Sequence, residues 1–517
     1  MNRFNAIWAI AQALVRAFNA KGLTMQDANS QHTDSADLQG QAGPIPQTLR
    51  SHSGAQQVMV IGAGISGLCS AWFLQQQGYD VLVLEASACV GGNLQTVKRD
   101  GCQFERGPNS FMNNRQAMAD LIKGAGLEQE IVPANAAAHR RFVGKRGALV
   151  ALPTNPIEGI TTSIMSWPGK LRVAWEPFVG KATTEESIAQ FVTRRLGKQM
   201  FDWLIDPFIS GVFAGDPHKL SVQAAVPRLY ALEKQHGSLI RGAIAHIKAR
   251  RQATGPRLDG AMMTFKHGLN QLMTHLAGQL LNPVQLNTQV ESVSYSHEHG
   301  YLVRSGDQIW QAEKLVMAVP AKQVARLIED LPTPDEARLV QAQQQLRSIH
   351  YPPVATISMA FNKQQIQHPL DGFGMLLPSK ENRQILGALF PSSIFSGRAA
   401  VDQHVVTVFV GGGRAGKAMQ LSEAERLALV LQELDGYIGI SGLPLWSEES
   451  YWPAAIPQYE LGHLHKVAEI DQALAHLPGL YLRSNWRDGV ALGDCVENAQ
   501  ALALQVVAED TGDCANA

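Results

Sequence analysis

The chain has 517 residues, of which 45% are hydrophobic and 17% charged, so it is long enough for two or three domains around large buried cores. Its formal net charge is −1 at a pI near 7.0, a balance that lacks the basic footprint of a nucleic-acid-binding protein. Its five cysteines are scattered without a C-x-x-C pair, which argues against a disulfide framework or a metal site and favours a reducing, cytoplasmic location.

Residues 1–55 are predicted to be an N-terminal extension and a flexible linker. Between Asn2 and Lys21 the apolar residues fall on one helical face, and the only charges are positive. This pattern is typical of a membrane-surface helix, of a transit peptide that would give an organellar location, or of an extension without function. The chain contains no apolar run long enough for a membrane-spanning helix.

The informative part of the sequence begins at residue 57. Residues 58–61 are a short apolar run that predicts a buried strand, and they are followed by Gly62, Gly64 and Gly67 in G-x-G-x-x-G spacing. Residues 68–77 predict a helix, and residues 80–85 predict a second strand that ends at Glu85. This order predicts a βαβ unit of the Rossmann type, with a pyrophosphate at the helix N-terminus and Glu85 on the ribose hydroxyls.

A second glycine pair, Gly91 and Gly92, followed by Asn93, resembles the extended FAD fingerprint of the flavin amine oxidase superfamily. Later segments resemble the same topology: residues 286–293 look like the strand that receives adenine at Val290, and residues 314–320 look like a strand that returns the chain to the substrate. Residues 485–499 look like the closing flavin motif, in which a helix N-terminus faces the pyrimidine side of the isoalloxazine.

The resemblance implies non-covalent FAD as the cofactor. The residues that it implies in FAD binding are Gly62, Gly64, Ser66, Gly67, Glu85, Ala86, Gly91, Gly92, Asn93, Gly107, Pro108, Asn109, Val290, Trp452, Asn485, Gly489, Val490 and Ala491. Cys495 does not match the motif of covalent flavin attachment and is predicted to be a buried thiol.

Two inserted regions separate the flavin segments. Residues 137–257 show helical periodicity at 188–196, 199–204 and 229–249, and residues 326–451 mix strands at 354–362, 384–390 and 405–411 with a helix at 423–436. We therefore predict an α/β fold with α+β inserts: a Rossmann-type FAD domain built from residues 56–136, 258–325 and 452–512, a helical insert at 137–257, and a mixed-sheet substrate domain at 326–451.

The inserts carry a closer resemblance. Segments at 107–111, 141–143, 206–217, 220–222, 351–354, 372–374, 409–412 and 452–458 together resemble the protoporphyrinogen IX oxidase family, in order and at compatible spacing from residue 57 to about 505. Asn93, where most superfamily members carry Arg, is also found in this family.

The resemblance implies a six-electron oxidation of protoporphyrinogen IX to protoporphyrin IX in haem biosynthesis, with flavin N5 accepting hydride and no protein residue as catalyst. Dioxygen is the implied acceptor and a quinone is the alternative; coproporphyrinogen III is an alternative substrate. Because the porphyrin product is reactive, hand-over to ferrochelatase is a further expectation, and a homodimer is another, although no residue of the sequence shows either.

Substrate contacts follow from the same resemblance. Arg141 aligns with the Arg that binds a propionate, because Phe142 and Val143 follow it as in the family, although Arg140 is adjacent. Leu376, Leu389 and Phe409 align with positions that sandwich the pyrrole rings, and Gly211, Ala214 and Gly215 align with a loop near the macrocycle.

Residues 155–175 align with a membrane-facing helical insert of the family, in which Ile164, Met165 and Trp167 are expected at a membrane surface; the alternative is a helix packed on its own core. Two other functions stay open. One is oxidation of an amine or a carotenoid, and the other is a non-catalytic flavin or porphyrin carrier, for which Arg483 and Ser484 are a departure from the glycines of relatives.

Overall fold

The computed structural model describes residues 56–252, 258, 260–414 and 416–512, so the predicted N-terminal helix lies outside the described residues. Eighteen strands occur in these ranges. They are β1 (Gln56–Ile61), β2 (Val81–Leu84), β3 (Thr96–Arg99), β4 (Cys102–Glu105), β5 (Phe111–Met112), β6 (Ile131–Pro133), β7 (Phe142–Lys145), β8 (Ala148–Ala151), β9 (Met262–Phe265), β10 (Ser292–Ser296), β11 (Gly300–Ser305), β12 (Gln308–Met317), β13 (Val354–Asn362), β14 (Gly374–Leu376), β15 (Ile385–Leu389), β16 (Gln403–Gly411), β17 (Trp446–Trp452) and β18 (Leu480–Leu482).

The predicted βαβ unit is present. β1 pairs in parallel with both β2 and β12, and β12 pairs in parallel with β18, so chain segments far apart in sequence form one sheet. The helix Ile65–Gln76 follows β1 directly, and apolar clusters cover both faces of the sheet, which explains why β1 and β2 are continuous apolar runs. The α/β class with a Rossmann-type sheet is confirmed.

The prediction of a strand at residues 286–293 is wrong. The backbone of Gln285 hydrogen-bonds with Val83 and Glu85 at the edge of β2, and the chain then turns at Asn287, whose φ is +54°. β10 begins only at Ser292 and runs antiparallel to β11. A left-handed residue interrupts the extended backbone here.

The second large sheet has seven strands in the order β17-β13-β16-β15-β14-β7-β8. β13 spans the predicted range 354–362, and the helix Glu423–Ile438, which Ser422 and Glu425 cap reciprocally, packs its Val430, Leu434 and Tyr437 against one face. β7 and β8 join this sheet, because β7 pairs in parallel with β14. Residues 142–151 therefore belong to the sheet, although they fall within the predicted helical range 137–257.

The remainder of that insert is helical. Its helices are Pro156–Thr161, Trp167–Ala174, Ile188–Leu196, Lys198–Met200, Asp206–Phe213, Val222–Ala225, Pro227–His236 and Leu239–Gln252, with a π-helical turn at Phe201–Ile205. The single helix predicted at 229–249 is two helices, since Gly237 ends the first with a φ of +69°. Elsewhere the helices are Gln116–Gly124, Asn270–Gln279, Ala321–Leu327, Glu336–Ser348, Pro391–Ile394, His463–Leu474 and Leu492–Thr511.

The apolar residues predicted to face a membrane fall into a buried group and an exposed group. Ile164 and Met165 are buried in the core of the helical region, so the expectation that they face a membrane is wrong. Trp167 is 60% exposed, and Leu171, Trp175 and Phe178 are exposed to a similar degree. Among the described residues, no helix is both long and apolar enough to span a membrane.

Candidate active site

The loop between β1 and its helix is tight because of its glycines. Gly62 has a φ of +104°, and a Cβ at this position would lie 2.8 Å from the Ala318 carbonyl oxygen. A Cβ at Gly67 would lie 1.8 Å from the Gly62 carbonyl oxygen, so only glycine permits this approach. A Cβ at Gly64 would meet no protein atom within 4 Å. Gly64 therefore faces open space beside the N-terminus of the helix Ile65–Gln76, where a pyrophosphate fits.

Glu85 directly follows β2 and lies beside this loop. Its carboxylate oxygens accept hydrogen bonds from the backbone N–H groups of Ala63 (2.6 Å) and Ser87 (2.8 Å). These bonds fix the carboxylate next to the glycine loop, and each oxygen retains a further lone pair for a hydroxyl donor. Ala86 is exposed beside it, and Ser66 is buried in the first turn of the helix.

The second glycine pair packs directly on the first loop. The Gly91 N–H donates to the Ala63 carbonyl (2.8 Å), and a Cβ at Gly92 would lie 3.3 Å from the Gly64 Cα. Both glycines have a positive φ. Asn93 follows this glycine pair, and the segment of Gly107, Pro108 and Asn109 packs against it. A Cβ at Gly107 would lie 2.2 Å from the Asn93 carbonyl oxygen.

Trp452 and Val290, also predicted to bind the cofactor, lie at different sheets: Trp452 ends β17, and Val290 packs beside the Rossmann-type sheet. The Trp452 indole, at the end of β17, donates to the Arg106 carbonyl (3.1 Å), which also accepts from the Thr356 hydroxyl (2.9 Å). This contact joins the glycine-rich segments to the seven-stranded sheet. Val290 is buried against one face of the Rossmann-type sheet, near the edge strand β2.

Residues 485–491, which we call the closing loop, are held by a tyrosine that no sequence motif identified. Tyr459 Oη donates to the Asn485 carbonyl (2.5 Å) and accepts from the Gly489 N–H (2.8 Å), so it braces both ends of the loop. Its ring stacks on His463 at 4.2 Å between centroids. Burial raises the pKa of Tyr459 well above its usual value, which keeps the hydroxyl protonated. Its sequence signal is slight: an aromatic residue directly after the 452–458 motif.

After Gly489 and Val490, Ala491 caps the helix Leu492–Thr511 without a side-chain hydrogen bond, so the first N–H groups of the helix stay available. Cys495 lies in its first turn and is buried, as predicted. The departure at Arg483 leaves the backbone path intact, because its N–H donates to the Met317 carbonyl (3.0 Å) and its guanidinium pairs with Asp488 (3.1 Å).

A buried ion pair, also missed, lies at the start of the same helix. Arg115, which directly precedes the helix Gln116–Gly124, contacts the Asp494 carboxylate at 2.5 Å and Glu497 at 3.0 Å. The side chains of Arg115 and Asp494 are only 6% and 9% exposed. An arginine and an aspartate 379 positions apart give no local pattern.

The predicted ring-contact residues share one face of the seven-stranded sheet. Gly387 is in register with Leu376 on one side and with Phe409 on the other, so these three residues form a row across β14, β15 and β16. Leu389 lies two positions from Gly387 and therefore on the same face. Leu376, Leu389 and Phe409 are partly exposed, whereas their immediate neighbours along each strand are buried. The row is thus an accessible apolar surface with a glycine at its centre.

The segment predicted as a loop near the macrocycle is helical at Gly211, which lies in the helix Asp206–Phe213, and only Ala214 and Gly215 follow the end of that helix. A Cβ at Gly211 would be 2.4 Å from Leu376 Cδ2, and Ala214, with a φ of +48°, packs in a cluster with Phe409. The Ala214 carbonyl accepts from the Gly413 N–H (2.7 Å). Gly215 contributes to a separate cleft of about 540 Å³, lined by charged residues that include Asp202, Asp206, Lys380 and Arg414.

The two adjacent arginines differ in their partners. Arg140 is half-exposed, pairs with Asp371 and packs over the Phe142 ring. Arg141 packs over the Phe373 ring, its Nε is buried without a hydrogen-bond partner, and within the described ranges it has no acidic partner. Burial lowers the pKa of the Arg141 guanidinium. Arg141 is two positions before Val143, which is in register with Leu376, so it belongs to the same face as the apolar row.

A partly buried cation without a carboxylate partner among the described residues, at the edge of an apolar surface, suits a ligand that brings its own anion. The glycine loops, the acid after β2 and the free helix N-terminus suit a dinucleotide. No group of three or more side chains arranged to hold a metal ion occurs in the part of the chain that the structure describes.

Comparison with known proteins agrees with this arrangement. Residues 65–507 match the family model described as flavin containing amine oxidoreductase. Protoporphyrinogen oxidase 2, chloroplastic/mitochondrial, from Arabidopsis thaliana is 31% identical, covering 89% of this chain and 95% of the relative. Coproporphyrinogen III oxidase from Bacillus subtilis (strain 168) is 29% identical, covering 87% and 97%. A solved structure from Exiguobacterium sp. 255-15, provisionally named a protoporphyrinogen oxidase, superposes with a TM-score of 0.74 at 25% identity, covering 88% and 99%.

Proposed function

Because the chain belongs to the flavin-containing amine oxidoreductase family, in the branch of the protoporphyrinogen and coproporphyrinogen III oxidases, we propose that it oxidises protoporphyrinogen IX to protoporphyrin IX in haem biosynthesis. The observation that carries this proposal is Arg141, a cation without an acidic partner among the described residues, on the same sheet face as the apolar row. Protoporphyrinogen has the matching chemistry, an apolar macrocycle with propionates.

The cofactor in this proposal is non-covalent FAD. Gly62, Gly64 and Gly67 would hold the pyrophosphate, and Glu85 would bind the ribose hydroxyls. FAD when bound supplies the hydride acceptor at its N5 position. The loop braced by Tyr459 would orient the isoalloxazine, and the N-terminus of the helix Leu492–Thr511 would place a partial positive charge at its pyrimidine edge.

The substrate residues then act by orientation. Arg141 would bind one propionate with two parallel hydrogen bonds, which fixes one end of a flexible macrocycle. Leu376, Leu389 and Phe409 would contact the pyrrole rings and exclude water, and the absence of a side chain at Gly387 leaves room between them. The aromatic product is strongly favoured, so orientation against the flavin supplies most of what the reaction needs.

Protoporphyrinogen is preferred in this proposal over coproporphyrinogen, which carries four carboxylates. Arg414 lines the separate cleft but reaches the row through the Leu377 carbonyl, to which its guanidinium donates (2.7 Å). Arg140 is neutralised by Asp371 and Arg414 by Asp206 at 3.1 Å, so neither is free for a further carboxylate. Dioxygen is the proposed acceptor, because the chain's relatives in this branch are named as oxidases.

We also propose a peripheral contact with a lipid surface. Trp167, Leu171 and Trp175 are spaced four residues apart on one side of a short helix, and Phe178 packs against Trp175 at 4.9 Å between ring centroids. Four exposed apolar side chains in one patch are typical of interfacial segments. Replacing Trp167, Leu171 and Trp175 by Ser should abolish binding to anionic liposomes, whereas Val401→Ser, at an exposed apolar residue elsewhere, should leave it intact. Equal binding by both variants would contradict the contact.

The proposed activity is tested by anaerobic mixing of the purified holoenzyme with protoporphyrinogen IX or coproporphyrinogen III. Flavin absorbance and porphyrin fluorescence are followed, and air is then admitted. We expect flavin bleaching with porphyrin formation, faster with protoporphyrinogen, and recovery of the oxidised flavin in air. Faster reaction with coproporphyrinogen would reverse the substrate assignment, and recovery only with a quinone would change the acceptor. A flavin that stays oxidised with both porphyrinogens would overturn the proposal and leave amine or carotenoid oxidation or a carrier role.

A further inference from the structure

The buried ion pair between Arg115 and Asp494 lies at the end of the helix that the proposed function directs toward the flavin. Asp494 is the third residue of the helix Leu492–Thr511. A Cβ at Gly489 would lie 2.7 Å from Asp494 Oδ2, so this carboxylate packs directly against the backbone of the closing loop. The other oxygen of Asp494 contacts Arg115 at 2.5 Å.

The charge of Asp494 opposes the proposed role of this helix end. A helix N-terminus carries a partial positive charge equivalent to about half an elementary charge. A full negative charge in the first turn exceeds that amount, so an uncompensated Asp494 would make the potential at the loop negative. The side chains of Asp494 and Arg115 are nearly inaccessible to water, so solvent screens their charges only weakly.

Arg115 supplies the compensation. Its two terminal nitrogens contact Asp494 and Glu497, and Arg228, whose pKa is lowered to about 10 chiefly by burial and then by the charge of Arg115, lies in the same electrostatic environment. With two arginines and two carboxylates the cluster is formally neutral, so the helix dipole determines the sign of the potential beyond it.

We propose that Arg115 is a positioning residue that raises the reduction potential of the bound flavin by neutralising Asp494 and fixing its carboxylate against Gly489. The inference rests on the proposed function only in taking residues 489–491 as the flavin-facing segment. A purely structural tie between two helices would change stability and leave the potential unchanged, so the test measures the potential.

The test is a reductive titration of the flavin in the purified holoenzyme, with a chemical reductant and reference dyes and without porphyrinogen. Arg115→Gln should lower the midpoint potential, because Asp494 then faces the loop unpaired. Asp494→Asn should raise it, and the double variant should return close to the wild-type value. We expect about a tenfold change in the ratio of reduced to oxidised flavin for each single variant, equivalent to about 30 mV for a two-electron couple.

Two controls keep the result interpretable. Arg347→Gln breaks an exposed pair with Glu329 and should leave the potential unchanged. Arg115→Lys retains the positive charge, so its midpoint potential should stay close to the wild-type value. This variant keeps the inference testable if Arg115→Gln is too unstable to purify. Shifts of the same sign in Arg115→Gln and Asp494→Asn, or a lower melting temperature without any shift, would overturn the inference. Because no porphyrinogen is used, failure of the proposed substrate leaves this test valid. A purified protein that binds no flavin would refute the premise that residues 489–491 face a flavin.

Discussion

The glycine loop and the apolar row differ in the distance along the chain over which each is assembled. Gly62, Gly64 and Gly67 lie within six positions of one another, and the tightest approach, from a Gly67 Cβ to the Gly62 carbonyl oxygen at 1.8 Å, is made inside the loop. Leu376, Gly387 and Phe409 come from three strands whose register aligns them, and Arg141 joins through a fourth strand. Crowding inside the first region should therefore disrupt the fold, whereas changes in the second region should weaken binding alone.

The largest effect is expected at Gly67. The added methyl of Gly67→Ala would lie 1.8 Å from the Gly62 carbonyl oxygen, so the loop must move and the chain should not retain flavin. Gly64→Ala is the matched variant, because its methyl meets no protein atom within 4 Å; it should fold normally but bind FAD weakly. Melting temperature and flavin content measure the two outcomes. Wild-type flavin content in Gly64→Ala would contradict the assignment of the phosphate site.

The next effect is expected at Arg141. Loss of a charged hydrogen bond costs about 1.5–3 kcal/mol, so Arg141→Gln should raise KM for protoporphyrinogen by roughly 10-fold to 100-fold with unchanged flavin content. Arg140→Gln removes an exposed, already paired cation and should change KM less than about threefold. Steady-state fluorescence assays separate the two. If Arg140→Gln has the larger effect, the propionate site has been assigned to the wrong arginine.

Tyr459 refines the comparison between the glycine loop and the apolar row. It lies outside the predicted motifs at 452–458 and 485–499 and yet supports the closing loop. Tyr459→Phe removes two hydrogen bonds from a buried site and should weaken FAD binding by roughly tenfold, about 1–1.5 kcal/mol. Tyr451→Phe, at a half-exposed residue of β17, is the control and should bind FAD normally. Flavin release under dilution measures the affinity. Equal release from both variants would show that the loop does not depend on this brace.

The smallest effect concerns pH. Burial lowers the pKa of His463 to about 4, so the folded chain keeps this ring neutral where an unfolded chain, with a pKa near 6.5, takes up a proton. The stability that the neutral ring contributes is present above pH 6.5 and is lost as the pH falls toward 4. Between pH 7.5 and 6 the loss should be about 1 kcal/mol.

His463→Phe should remove this part of the acid sensitivity, whereas His465→Gln, at an exposed ring nearby, should not. Thermal unfolding at the two pH values measures the difference. An unchanged pH dependence in His463→Phe would assign the acid sensitivity to other groups.

The sequence by itself determined the local units of this protein. The βαβ loop, the strand Val354–Asn362 and the helix that begins at Glu423 are all encoded by short-range signals: glycine spacing, continuous apolar runs and a capping serine. Each signal acts over a few residues, so no knowledge of distant segments is needed to interpret it. The motifs of the flavin segments were found for the same reason.

Only the tertiary structure decided how side chains far apart in sequence meet. The sequence favours Arg141 over Arg140 only through a family resemblance, and the tertiary structure adds the physical difference, because Asp371 pairs with Arg140. Ile164 and Trp167 are equally apolar, and packing against the neighbouring helices buries the first and exposes the second. The partners of Tyr459 and Arg115 are likewise set by contacts across the fold. Burial and charge pairing are properties of the assembled chain. Burial depends on which distant groups exclude water from a side chain, and charge pairing depends on which distant charge lies beside it.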